Sequence, residues 1–234
     1  MKHSLSFSKV IGAVALISAF APATAAAAPV YWTDWVSASA GNSGSASGII
    51  TLADSSTVNV AYSGGLYSAQ ISGGANYWSP NAYTSATVDN APDSLNTDIL
   101  RLGQGTPMNT ITFSTPVTNP IMAVVSFNGP SWTFDAPFTV LSSGCGYWGC
   151  DTLNSGNGNI LSSTHLGEGH GTLQFLGTFS SISWAENGSE NWRGITVGVS
   201  DVSPVPVPAA AWLFGSALAG LGFIGKRRSD RVSV

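Results

Sequence analysis

Two cysteines and two histidines in the second half of the chain have the types and the spacing for chemistry. Cys145, Cys150, His165 and His170 run in the order Cys-x4-Cys-x14-His-x4-His. Thiolate and imidazole are common ligands of tetrahedral zinc, and such sites usually carry the histidines on a helix. Leu166-Gly167-Glu168-Gly169-His170-Gly171 is instead a poor helix former. The expectation is therefore a disulfide between Cys145 and Cys150, the natural state of a thiol pair in an oxidising compartment. Closing so short a loop contributes only about 2 kcal/mol through chain entropy. Its main effect would be to present the tip Gly146-Tyr147-Trp148-Gly149. No metal and no cofactor is expected.

Glu168 and His170 stand between glycines, which let a ligand approach the backbone, and a carboxylate beside an imidazole can move protons. Neither a nucleophile motif nor a second carboxylate at a hydrolase spacing accompanies them, so no catalytic residue is assigned. Trp132, Trp148, Trp184 and Trp192, with Tyr147, Glu186, Asn187, Glu190 and Asn191, have the types that hold sugars. Rings stack on the apolar faces of sugars while amides and carboxylates bond their hydroxyls. Ile182 and Trp184 share a strand parity, which is also the pattern of a core. Trp148, Glu168, His170 and Trp192 are thus the candidate ligand-binding residues. Asp89 and Asp93 offer oxygens to calcium, although the EF-hand pattern is absent.

The elements that must position these groups are strands. Val58, Val60 and Tyr62 alternate with polar residues, as do Ile195, Val197 and Val199. Residues 48–53, 57–63 and 66–72 read as a meander, with Asp54-Ser55-Ser56 and Gly64-Gly65 as its turns. Further strands are expected at 109–113, 121–127, 138–141, 172–176 and 179–184. No segment between the two ends sustains helical periodicity over three turns. About ten short strands imply an all-β fold, an antiparallel β-sandwich or jelly roll. Residues 76–100 are too long for a hairpin connection and form a candidate functional loop.

Charge is concentrated at the ends of the chain. Residues 29–204 hold only Arg101 and Arg193 as cations against eleven carboxylates, which excludes nucleic acid as a partner. The 27 glycines suggest disorder, but eight Trp, ten Phe and six Tyr supply the apolar surface of a folded domain.

Lys2, His3 and Lys9, an apolar stretch from Val10 to Phe20 and the small residues Ala21 to Ala28 make the three parts of a secretory signal peptide, residues 1–28. It would engage the Sec export machinery. At the other end, residues 209–225 are apolar, and as a helix they reach roughly 25 Å, near the lower limit for a bilayer span. Lys226, Arg227 and Arg228, in the tail 226–234, keep the end of the chain cytoplasmic and leave the bulk outside.

The order Val205-Pro206-Val207-Pro208, apolar span, Lys-Arg-Arg closely resembles the PEP-CTERM sorting signal of Gram-negative envelope proteins. Its best known motif is Val-Pro-Glu-Pro, and Val207 stands here where that motif has glutamate. The resemblance covers residues 205–234 and implies recognition and cleavage by exosortase, a membrane transpeptidase-like cysteine protease. It implies sorting, not catalysis.

The expectation is an exported, non-catalytic structural or interaction protein of the cell surface or extracellular matrix. It would cross the inner membrane, be held there transiently by its C-terminal helix, and then be released as an acidic β domain, residues 29–204. The rival reading is a carbohydrate-binding module or carbohydrate-active enzyme, with exopolysaccharide as partner.

Overall fold

The computed structural model describes residues 27–200 except 79, 93–96, 104–107, 130, 164–166 and 189. The sorting motif Val205, Pro206, Val207 and Pro208, the span 209–225, the basic residues Lys226, Arg227 and Arg228, and residues 1–26 of the expected signal peptide lie outside the described residues.

The strands are β1 Val30–Trp32, β2 Asp34–Ser39, β3 Gly41–Thr51, β4 Thr57–Gln70, β5 Ile99–Leu102, β6 Asn109–Thr118 and β7 Ile121–Phe127. They continue as β8 Ser131–Phe134, β9 Thr139–Gly144, β10 Leu153–Gly156, β11 Ile160–Ser163, β12 Gly169–Gln174, β13 Thr178–Asn187 and β14 Gly194–Ser200. Among the described residues one short helix, α1 Pro80–Tyr83, interrupts them. The fold is all-β, and every strand pairing is antiparallel.

The strands form one hydrogen-bonded path in the order β10-β11-β8-β13-β6-β4-β5-β14-β7-β12-β9, with β1 on β14 and the β2–β3 hairpin on β4. The path curls into a nearly closed barrel. Its ends, β9 and β10, meet beside the bridge Cys145–Cys150, where Leu153 N–H donates to Ser143 Oγ at 2.7 Å.

Strand β4 turns the corner of this path. Residues 60–63 pair with β6, whereas residues 66–70 pair with β5. The pair Gly64-Gly65, expected as a hairpin turn, therefore lies within a continuous strand at the point where it changes neighbours. Gly64 has φ +152°, and a Cβ there would collide with the Asn109 side chain and the Tyr62 hydroxyl. The glycine serves close approach rather than reversal.

Inside the barrel, alternate residues of β4, β6 and β13 interdigitate in the core. Trp132 and Trp184, with centroids 5.6 Å apart and rings tilted by 35°, pack among Phe127, Phe134 and Tyr62. Each such buried side chain stabilises the fold by about 1.5–3 kcal/mol. Strand β7 is buried on both faces. Met122 and Val124 join the inner core, while Ile121, Ala123 and Val125 join two outer clusters.

What covers those outer residues is the long connection before β5, expected as a functional loop. Trp78, Ala82 and Tyr83 pack on β7, Trp78 Nε1–H donates to Asp98 O at 3.2 Å, and Ser142 Oγ–H donates to Ala82 O at 2.7 Å. Most of the segment is therefore a structural layer that buries the second face of a continuously apolar strand.

Candidate functional site

Three pieces of irregular backbone converge at one end of the barrel: the 145–150 tip, residues 190–193 and Tyr77 of the covering layer. The tip is a tight hairpin. Cys145 and Cys150 face each other as an antiparallel pair joined by a disulfide, and Gly146 N–H donates to Gly149 O at 2.8 Å. Gly146 lies against the His170 ring so closely that any Cβ would strike it. The tip is thereby seated on β12.

Seating the tip brings Trp148 onto Trp192, with centroids 4.1 Å apart, and onto the face of Tyr77 at 5.1 Å and 25°. Tyr147 completes the group edge-on, 5.0 Å from Tyr77 and 4.8 Å from Trp148. Trp148 stays 43% exposed and Tyr147 52%. The four rings form one contiguous, partly exposed aromatic surface.

Beside this wall opens a cleft of about 650 Å³, lined by Ser126, Asn128, Trp148, Glu168, Glu190, Asn191 and Trp192. Ser126 has φ +58° at the irregular end of β7, next to the bulge in the β7–β12 ladder. Its hydroxyl donates to Glu168 Oε2, and Asn128 Nδ2 donates to Glu168 Oε1 at 2.6 Å. Glu190 Oε1 accepts from Trp192 N–H at 2.8 Å, while its buried Oε2 has no partner among the described residues. Burial pushes the Glu190 carboxyl up to about 7, and the nearby Glu168 charge adds to the rise.

The stretch 190–193 is held by Arg193, whose Nη1 donates to Glu190 O at 2.7 Å and Nη2 to Gly103 O at 2.9 Å. The same guanidinium pairs with Glu186, which also accepts from Asn109 Nδ2 at 3.1 Å. Burial lowers Arg193 to about 10, so it remains a cation at neutral pH. On the outside, Arg101 Nη2 donates to Asn191 O at 2.9 Å, and its guanidinium lies 3.9 Å over the Tyr67 ring. Both arginines of the domain thus anchor the strip that carries Glu190 and Trp192.

The structure brings Trp148, Glu168 and Trp192 into one cleft. His170 is placed elsewhere. It is fully buried, its Nδ1 lies 3.3 Å from Ser126 N–H and 3.2 Å from Tyr83 Oη, and burial pulls its pKa down to about 4. It is a neutral packing group behind the tip rather than a ligand contact. Trp132 and Trp184 belong to the core, and Glu186 serves the buried ion pair. Asn187 bonds Thr133 Oγ1 at 3.2 Å on the exposed strand surface.

Ser126 and Asn128 were not singled out from sequence, and no local pattern marks them; Tyr77 falls in the expected loop 76–100, and Arg101 was noted only as one of two cations. Asp89 lines a separate cavity of about 750 Å³ with Asp34, Asn90 and Asp98; Asp93 and His165 lie outside the described residues. In that cavity Asn90 is bonded to Val30 and Asp98 Oδ2 to Trp35 N–H, which gives these side chains a structural duty. Set against protein-family models, curated proteins and solved structures, the chain matches none of them.

Proposed function

We propose that this chain is an exported protein of the cell surface or extracellular matrix whose β domain holds saccharide chains. The observation that supports this most is the wall of Trp148, Trp192 and Tyr77 standing beside Glu168, Asn128 and Glu190. Exposed indole rings offer the apolar surface on which a pyranose stacks, and the carboxylates and amide offer acceptors and donors to its hydroxyls. A preformed aromatic wall loses little conformational entropy on binding. We read the curled sheet, whose two halves meet at β4, as the flattened sandwich implied by the strand alternation.

The two ends of the chain supply the address. The signal peptide carries the domain across the inner membrane, the 209–225 helix holds it there transiently, and exosortase releases it near residues 205–208. An acidic domain with an aromatic cleft would then meet exopolysaccharide outside the cell.

A second reading rests on Glu190. A carboxyl group held near pH 7 beside another carboxylate is the equipment of glycoside hydrolysis. One experiment separates the two. Full-length protein in a zwitterionic detergent is titrated with a panel of oligosaccharides, following tryptophan fluorescence and the release of reducing ends. Binding without release, weakened about tenfold or more by Trp148→Ala, is the expected result. Release of reducing ends abolished by Glu190→Gln would establish the hydrolase, and the absence of saturable binding across the panel would remove both readings.

A further inference from the structure

Arg101 is the one cation among the described residues that is not enclosed, since Arg193 is wholly buried against Glu186. In a domain with so few positive charges its position carries information. Arg101 lies in a second cleft of about 400 Å³ with Ser68, Gln70, Ser72, Tyr77 and Trp192. The two clefts share the Trp192 side chain, so a ligand crossing the edge of that ring touches both.

The guanidinium is preset. Its Cζ lies 3.9 Å from the centre of the Tyr67 ring and 5.9 Å from that of Trp192, with Nη2 donating to Asn191 O at 2.9 Å. No carboxylate among the described residues forms an ion pair with it. A planar fork held in one orientation matches a carboxylate, and partial desolvation by two rings strengthens that attraction. The neighbouring cleft has the opposite character, because the Glu168 carboxylate repels an anionic sugar there.

We propose that the two clefts form one groove for an acidic polysaccharide, with a neutral sugar on Trp148 beside Glu168 and a uronate carboxylate on Arg101 beyond Trp192. This rests on the saccharide reading above and adds ligand charge and direction to it. The groove would select chains that alternate neutral and uronic units over wholly neutral or wholly uronic ones, and would fix which way along the cleft the chain runs.

The test compares glucuronate- and galacturonate-bearing oligosaccharides with their carboxyl-reduced forms, which differ only in that charge, on full-length protein in zwitterionic detergent. Wild type should bind the acidic form about tenfold more tightly than the reduced form, the scale of one charge-assisted contact. Arg101→Gln should bring the ratio to near one, whereas Trp148→Ala should weaken both forms and keep the ratio. Raising the salt on wild-type protein should compress the ratio, a readout that does not depend on any variant folding. A ratio near one in wild type, or a ratio unchanged by salt and by Arg101→Gln, overturns the assignment while the saccharide reading stands. Failure of wild type to bind either form overturns both.

Discussion

Arg193 pairs with Glu186 where neither side chain meets solvent, and the same guanidinium holds the main-chain oxygen of Glu190 at 2.7 Å. A buried ion pair therefore sets the position of the strip that carries Glu190 and Trp192. Removing one partner leaves the other charged and unpaired inside the protein, which costs roughly 3–5 kcal/mol. Glu186→Leu or Arg193→Met should lower the free energy of unfolding by about that amount in a urea titration. The double variant should regain much of the loss, and a double variant no better than the singles would contradict this account.

The contact of Gly146 with the His170 ring leads to a comparison of two nearby glycines. A Cβ at Gly146 meets the imidazole, whereas one at Gly144 meets open space. Gly146→Ala should destabilise by about 1–3 kcal/mol and lift the tip off β12. Gly144→Ala should stay within about 0.5 kcal/mol of wild type. Equal effects in thermal unfolding would mean that the tip is not seated on His170.

The disulfide matters more to the aromatic wall than to the fold. Replacing Cys145 and Cys150 by alanine should cost about 2 kcal/mol, since the loop closed is short. Saccharide affinity should fall further than that loss of stability explains, because Trp148 must then be ordered on binding. Native affinity in the fully reduced protein would show that contacts of Trp148 with Tyr77 and Trp192 suffice.

The half-buried Glu190 and the buried His170 oppose each other in pH. Glu190 sits at about 7 in the folded chain against a usual 4.5, so its contribution is fully present below pH 4.5 and lost as pH rises through 7. His170 falls from 6.5 to about 4, so its contribution is present above pH 6.5 and lost as pH drops through 4. Relative to wild type, Glu190→Gln should gain stability progressively between pH 4.5 and 7 and expose the acid sensitivity of His170 below 6.5. A constant difference between the two proteins across that range would place Glu190 in water.

The strands that show in the amino-acid order are those long enough to alternate. β4 with Val58, Val60 and Tyr62, β13 with Ile182 and Trp184, and β14 with Ile195 and Val197 declare their inner faces directly. β5, β8, β10 and β11 have four residues each, too few for a period, and exist because a neighbour supplies their hydrogen bonds. Gly64-Gly65 misleads for a related reason: turn chemistry is local, but the space taken by Asn109 is not.

The order of residues by itself determined an acidic, antiparallel all-β chain and the pairing of its two cysteines. It also marked Trp148, Glu168 and Trp192 as types suited to a sugar, because composition and short-range alternation are properties of the chain alone. Only the tertiary structure decided that Trp148 and Trp192 touch, that Glu190 joins Glu168, that a second cleft holding Arg101 shares Trp192 with theirs, and that His170 is enclosed. Those relations join residues far apart along the chain through the curl of one sheet, and whether a polar group meets water depends on what packs over it.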